Sequence, residues 1–255
     1  MVTTNGAREA TPSIQSVERA ANMLGFFTVS RPRLSLSELT ARLGMSKATA
    51  HRYAMALRQV NLLRYDASSG EYALGPQVLV LAAAARAGLS IISAAEPLMR
   101  DLVRQVNETV VLSIWDGEAP VVVHVDDATD RVIRISVEVG SRLERFGSAQ
   151  GRVFCAFLPE PAVPGLSDEL TRSNKLKDEL QKIRANGVGF NVSERYGVRT
   201  VATPVFSDGQ IIAVMGLVST TVSLPGSRTS PVTKALLATA ARLTAVHGEH
   251  HVDPR

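Results

Sequence analysis

At 255 residues, with 45% apolar and 20% charged residues and a formal net charge of +4, the chain has the length of two ordinary domains. Its composition is that of a globular protein and excludes a disordered or fibrous one. Charge is unevenly placed: nine Lys and Arg stand against five acids over residues 1–75, whereas the remainder carries nineteen of each, so the positive excess lies in the first third and suits a polyanionic partner.

Residues 1–12 are polar, end at Thr11-Pro12 and are expected to form a disordered tail. Residues 1–20 hold no apolar core of a secretory signal, the most apolar run (78–89) is interrupted by Arg86, and Cys155 has no second cysteine to pair with. A cytoplasmic protein with no membrane partner is expected. Ile14, Val17, Ala20, Ala21, Leu24 and Phe27 recur at helical spacing and predict a helix over 15–27. Arg31-Pro32 breaks the pattern. Ser35-Leu36-Ser37-Glu38 fits a capping box ahead of a helix carrying Leu36, Leu39 and Leu43, and Gly44 suits its left-handed end. Ser46 then caps a third helix whose Ala50, Tyr53, Ala54 and Leu57 share a face. Residues 62–65 and 71–74 read as two strands about a turn rich in Asp, Ser and Gly. Helices joined by a glycine turn and followed by a hairpin make a winged helix-turn-helix over 13–75. Pro76 suits the start of a linker helix, placed within 76–89.

Beyond it the pattern predicts a helix over 90–106 and strands at 109–115, 120–126 and 132–139. A loop at 140–150 leads to a helix near Gly151–Phe157, a proline-rich break at 159–164 precedes a charged helix over 167–186, strands return at 198–206 and 211–219, and a last helix covers 230–246. Helices beside an antiparallel sheet indicate an α+β domain over 90–248, with a short tail at 249–255.

In a helix-turn-helix the second helix of the motif enters the major groove, its first residues meeting bases and phosphates. With Ala50, Tyr53, Ala54 and Leu57 inward, the outward positions are Lys47, Ala48, His51, Arg52 and Met55. Ser46 and Thr49 bring hydroxyls to the helix start, where free N–H groups attract phosphate. Lys47 and Arg52 supply charge, and an arginine can read guanine through two hydrogen bonds. Arg64 and the Ser68-Ser69-Gly70 tip are placed to touch DNA from the wing. Double-stranded operator DNA is the expected partner.

Residues 44–78 (GMSKATAHRYAMALRQVNLLRYDASSGEYALGPQV) resemble the IclR family of transcriptional regulators, through Gly44, Ser46, Lys47, Thr49, His51 and Arg52 and then Gly70, Tyr72, Leu74 and Gly75. Residues 137–159 and 197–219 are similar to the family's pocket-bordering loop and helix and its closing hairpin, so the resemblance spans about 13–247. It implies a winged helix joined by a linker helix to a GAF-like α/β effector domain, and a ligand-responsive regulator, a repressor, that forms homodimers or homotetramers. It also implies an effector site lined by Leu143, Ala149, Gln150, Asn191, Val198, Thr200 and Gly216. The chain departs from the family pattern where Thr200 replaces a frequent cysteine, Asn191 stands near a usual acid and Gly216 replaces a usual hydroxyl residue. Fewer polar groups imply a partly apolar or aromatic organic acid. Its carboxylate would lie at the helix start near Gly151, with small Gly216 leaving room for a ring.

Other chemistry finds little footing. The five histidines show no zinc-type spacing, Gly147-Ser148-Ala149-Gln150-Gly151 is not a nucleophile elbow, and Gly187-Val188-Gly189 lacks the third glycine of a phosphate loop, so no cofactor or metal is expected. Two other readings stand beside the regulator. One is a small-molecule-metabolising enzyme with an incidental winged-helix domain, for which an acid–base or nucleophile constellation is wanting. The other is a protein-interaction module, which the localised positive charge disfavours.

Overall fold

A computed structural model describes residues 14–127, 135 and 137–249. The expected tail at 1–12 lies outside them. The chain divides after Ala87 into two compact units.

The first unit packs α1 (Gln15–Gly25), α2 (Leu36–Leu43) and α3 (Lys47–Gln59) over a small sheet, with Met23, Leu34, Leu39, Ala50 and Ala54 fully buried. The capping box at the start of α2 forms in both directions: Glu38 N–H donates to Ser35 Oγ at 3.3 Å and Ser35 N–H donates to Glu38 Oε2 at 2.8 Å. Those bonds from Ser35 hold the Glu38 carboxyl below its ordinary range. Gly44 closes α2 at φ 62°, the left-handed conformation that favours glycine. The wing is β2 (Leu63–Asp66) and β3 (Glu71–Leu74), its turn closed by Gly70 N–H donating to Asp66 O at 2.8 Å. Ser68 hydroxyl and Arg33 guanidinium both bond Asp66 and keep its carboxyl far below the usual range, so the turn carries a fixed anion. A third strand, β1 (Arg33–Ser35), pairs with the other edge of β3 and gives the order β1-β3-β2. The pattern of residues 31–35 shows only the break at Pro32, because three residues have no periodicity of their own and are strand only through β3. α4 (Pro76–Ala87) lies within the linker segment 76–89 and buries none of its residues.

The second unit is a five-stranded antiparallel sheet of β4 (Thr109–Trp115), β5 (Pro120–Asp126), β6 (Gly189–Ser193), β7 (Val198–Ser207) and β8 (Gln210–Thr220), in the order β5-β4-β8-β7-β6. α5 (Ser90–Val106) and α9 (Pro231–Glu249) cover one face, burying Met99, Leu102 and Leu236 against Leu112, Met215 and Leu217. On the other face α6 (Ala149–Phe157), α7 (Leu166–Arg172) and α8 (Asn174–Asn186) pack over Ala202 and Val214. Beside them Leu143 and Val137 join Val111, Val122, Val198 and Val218 in a separate apolar cluster.

The observed elements differ from the expected ones at several places, and parts of two expectations fall outside the described residues. The single charged helix over 167–186 is two helices, since Ser173 is extended (φ −131°, ψ 92°) and its Oγ accepts the Leu176 N–H to start α8. β6 is unexpected: five residues without alternation look like loop until they pair with β7. Most of the strand expected at 132–139 lies outside the described residues, and Val139-Gly140 is a turn, with Gly140 N–H donating to Val122 O at 2.8 Å. The tail expected at 249–255 begins inside α9 at Glu249, and its other residues lie outside those described.

Candidate nucleic-acid interface and ligand site

α3 starts at Ser46, whose Oγ accepts the Thr49 N–H at 3.3 Å and lies 2.9 Å from Thr49 Oγ1. No acid stands in its first turn, so the partial positive charge of the helix end is not neutralised locally. Ala50, Ala54 and Leu57 point into the core, and Tyr53 is half-buried against it. That orientation sends Lys47, Ala48, His51, Arg52 and Met55 to solvent. Ser46 is exposed and Thr49 half-buried. Neither Lys47, His51 nor Arg52 is in an ion pair among the described residues. Six of the seven expected DNA-binding residues thus lie along the start of one helix and its outer face. Arg64 stands apart on β2, exposed and likewise outside any ion pair among the described residues. The wing beneath it is stiffened by Arg33–Asp66 at 2.8 Å, by Tyr65 against Tyr72 at 5.0 Å and by Arg58 over the Tyr65 ring at 5.3 Å.

Of the seven expected ligand residues, Asn191, Val198, Thr200 and Gly216 fall on one face of the large sheet, Ala149 and Gln150 on the α6 start above it, and Leu143 on the loop before α6. Register pairs Asn191 with Thr200, Thr200 with Val218, and Gly216 with Val111 and Ala202, while Val198 lies two residues along β7 from Thr200. Neither Asn191 nor Thr200 has a side-chain hydrogen bond among the described residues. Leu143 packs against the Val111, Val198 and Val218 cluster. The Ala149 methyl is fully buried under α6 with Val153 and Phe154, so this residue offers a ligand its backbone only.

The loop before α6 is tied down from several sides. Arg142 binds Asp116 at 2.5 Å, Arg145 Nε donates to Glu118 O at 2.5 Å and its Nη1 to Pro164 O, and Leu143 N–H donates to Pro120 O at 2.9 Å. A Cβ on Gly151 would lie 2.2 Å from Arg145 O, so only glycine lets α6 approach the loop this closely. Two details correct the expected ligand geometry. Ser148 Oγ already accepts the Gly151 N–H at 2.9 Å, so the amides remaining for an anion at this helix start are those of Ala149 and Gln150. The space over Gly216 is not left for a ring: Gln150 fills it, Nε2 lying 2.7 Å from where a Cβ on Gly216 would stand.

Ser113 does not stand out in the sequence. It is fully buried on β4 and its hydroxyl donates to Gln150 Oε1. The available signal is a lone hydroxyl within the apolar run Val110–Trp115. A separate cleft of about 380 Å³ opens at the β6 edge between Arg152, Lys182, Ile183, Phe190 and Arg228, and none of the expected ligand residues lines it. Cys155 is buried and its thiol is pushed up to about 12 by burial, the opposite of what a nucleophile needs. No group of three His, Cys, Asp or Glu side chains suited to a metal occurs among the described residues, and no single helix there is long and apolar enough to cross a membrane.

Comparison with known proteins agrees with this architecture. The family described as IclR helix-turn-helix domain matches residues 16–67, and that described as Bacterial transcriptional regulator IclR C-terminal matches residues 83–245. The chain is 30% identical over 191 residues to HTH-type transcriptional regulator Rv1719 of Mycobacterium tuberculosis, covering 71% of this chain and 73% of that one. It is 24% identical over 211 residues to Transcriptional repressor IclR of Escherichia coli, covering 78% and 77%. Its fold superposes with a TM-score of 0.70 on an IclR homolog of Microbacterium hydrocarbonoxydans solved in complex with 4-hydroxybenzoate, at 20% identity over 90% of this chain and 98% of that one. These relatives are named as regulators and repressors rather than enzymes. With two matched domains spanning most of its length and a fully formed winged helix, the chain belongs to the IclR family of DNA-binding transcriptional regulators and is not an enzyme.

Proposed function

We propose that this regulator is a cytoplasmic repressor that grips an operator through Ser46, Lys47, Ala48, Thr49, His51 and Arg52, with Arg64 on the flanking backbone, and that a small aromatic acid controls its grip. The domains are taken as 13–75 for DNA, 76–89 as linker and 90–248 for the effector. The observation that carries the DNA part is the uncompensated cationic start of α3. For the acid, support comes from the α6 start above Thr200 and Asn191, two polar side chains without hydrogen-bond partners among the described residues and beside an apolar cluster. The fold neighbour's complex with 4-hydroxybenzoate supports an aromatic acid, and the name of the Escherichia coli relative supports repression.

The working species is a homodimer or homotetramer. α4 supplies the surface: Leu79 is 74% exposed, Val80 60% and Leu81 52%, an apolar stretch that a lone domain has no reason to show to water. A dimer reads half-sites about one helical turn apart. Protection of the DNA adjoining the gene, with and without benzoate, 4-hydroxybenzoate and aliphatic acids, tests the reading. Protection in paired half-sites that an aromatic acid relieves is expected. Protection indifferent to every acid would refute the effector assignment, and no protection at all the operator assignment.

A further inference from the structure

The sheet face under α6 holds one polar pair between two apolar clusters. Ser113 is fully buried and Gln150 is 2% exposed. Because the Ser113 hydroxyl donates to Gln150 Oε1, the amide cannot turn freely, and its Nε2 is held over Gly216. Nε2 has no acceptor among the described residues. It is not a sealed-off atom either, since no buried side-chain nitrogen or oxygen there lacks a partner. In a side chain that is nine-tenths buried, the donor edge is therefore the part of the amide left without a partner among the described residues and not sealed from solvent.

Sheet register locates this donor. Gly216 faces Val111 on one side and Ala202 on the other, and the neighbouring row runs Thr109, Val218, Thr200, Asn191. Toward α8 the clustered residues are core, with Ala202 and Val214 under Val153 and Phe154. Toward Leu143 and Val198 lies the cluster that borders the expected ligand. A packing role alone is a poor account of Gln150, because an apolar side chain would fill the room over Gly216 without leaving a donor unpaired in apolar surroundings.

We infer that Gln150 Nε2 is the donor that receives the acidic head of the effector, and that Ser113 is a positioning residue that keeps the amide turned toward it. The inference rests on the acid-sensing reading above and narrows it. The head must be an acceptor, a carboxylate held jointly by Nε2 and the α6 start, with its apolar body over Val111, Val198 and Val218. A donor-only head such as an amidine meets NH2 against NH and is refused.

The test uses the full-length protein, with calorimetry and thermal shift against benzoate, 4-hydroxybenzoate and benzamidine. Gln150→Met should keep the unliganded fold and weaken whichever benzoate binds by about ten- to a hundredfold, the loss of one hydrogen bond to a charged group. Gln150→Glu should lose the benzoates and gain benzamidine, an inversion that a merely structural side chain would not produce. Ser113→Ala should weaken the benzoates less, and Ser113→Thr should restore them. Equal benzoate affinity in Gln150→Met and wild type overturns the inference while leaving acid sensing in place. Failure of every acid to stabilise a wild type that still binds DNA overturns both.

Discussion

Gly216→Ala is a minimal perturbation of the sheet under α6. The new methyl would stand 2.7 Å from Gln150 Nε2, 3.4 Å from Gln150 Cδ and 3.3 Å from Val201 O, so the Gln150 side chain must move. Two effects oppose one another. Replacing glycine within a strand removes freedom from the unfolded chain and stabilises by about 0.4–1 kcal/mol. Displacing Gln150 breaks its bond from Ser113 and leaves a buried hydroxyl unpaired, which costs about 1–3 kcal/mol. The second effect wins, for a net loss of about 0.5–2 kcal/mol. In a unit of this size each kcal/mol lowers Tm by roughly 2–4 °C. Scanning calorimetry on wild type, Ser113→Ala, Gly216→Ala and the double variant reads the mechanism directly. If the cost runs through the Ser113–Gln150 bond, the double variant should be more stable than the sum of the singles predicts, by about 1 kcal/mol. Acid response should be lost in Gly216→Ala, and in the bulkier Gly216→Leu, while DNA binding persists. A rise in Tm for Gly216→Ala, or strict additivity, would refute this account.

Arg52→Ala should weaken specific operator binding in gel shifts. Lys47→Ala should lower affinity more evenly across sequences and reduce the salt slope by about 0.9 for each phosphate that the lysine no longer neutralises; unchanged affinity in both variants would remove α3 from the interface. Leu79→Asp, at a position 74% exposed, should leave the first unit folded but shift light-scattering mass toward monomer, and an unaltered mass would show that α4 does not assemble the protein. Cys155 keeps its proton more firmly folded than unfolded, its thiol raised from 9.0 to about 12. The unfolded chain therefore loses the proton first as pH rises, and the stability from this group should be full below pH 9 and fall away toward about 12. Iodoacetamide at pH 8 should label it only on unfolding, and rapid labelling of native protein would contradict the burial.

Much of the first unit is legible in the sequence because its signals are local. Ser35 and Glu38, Gly44 and Ser46 each act within four residues of where they stand, and the structure places every one in its expected role. β1 and β6 are illegible for the converse reason: each is extended only because a distant strand pairs with it. Ser173 ends one helix and starts another through its own backbone angles, which composition does not announce. At the candidate ligand site four of the residues implied by resemblance share one sheet face and the others border it from α6 and the loop before it, but their use of space is not readable from residue type. Gly216 looks like room from its size, and becomes the floor under an amide only once α6 is seen above it. Ser113 looks like a tolerated hydroxyl until its partner, thirty-seven residues away, is found.

The order β5-β4-β8-β7-β6 also bears on how the protein comes into being. The first unit is built from neighbours, and all its strand pairs lie within residues 33–74. In the second, β4 pairs with β8, Thr109 opposite Val218, so the centre of the sheet closes across about a hundred residues of chain, a separation that slows folding. During synthesis the winged helix is complete long before β8 emerges. Until then β4 presents Val110, Val111 and Leu112 on an open edge, strongly apolar and without its partner. Aggregation on overproduction should therefore arise from the second unit, and slower synthesis or a chaperone that shields that edge should raise the yield of soluble protein.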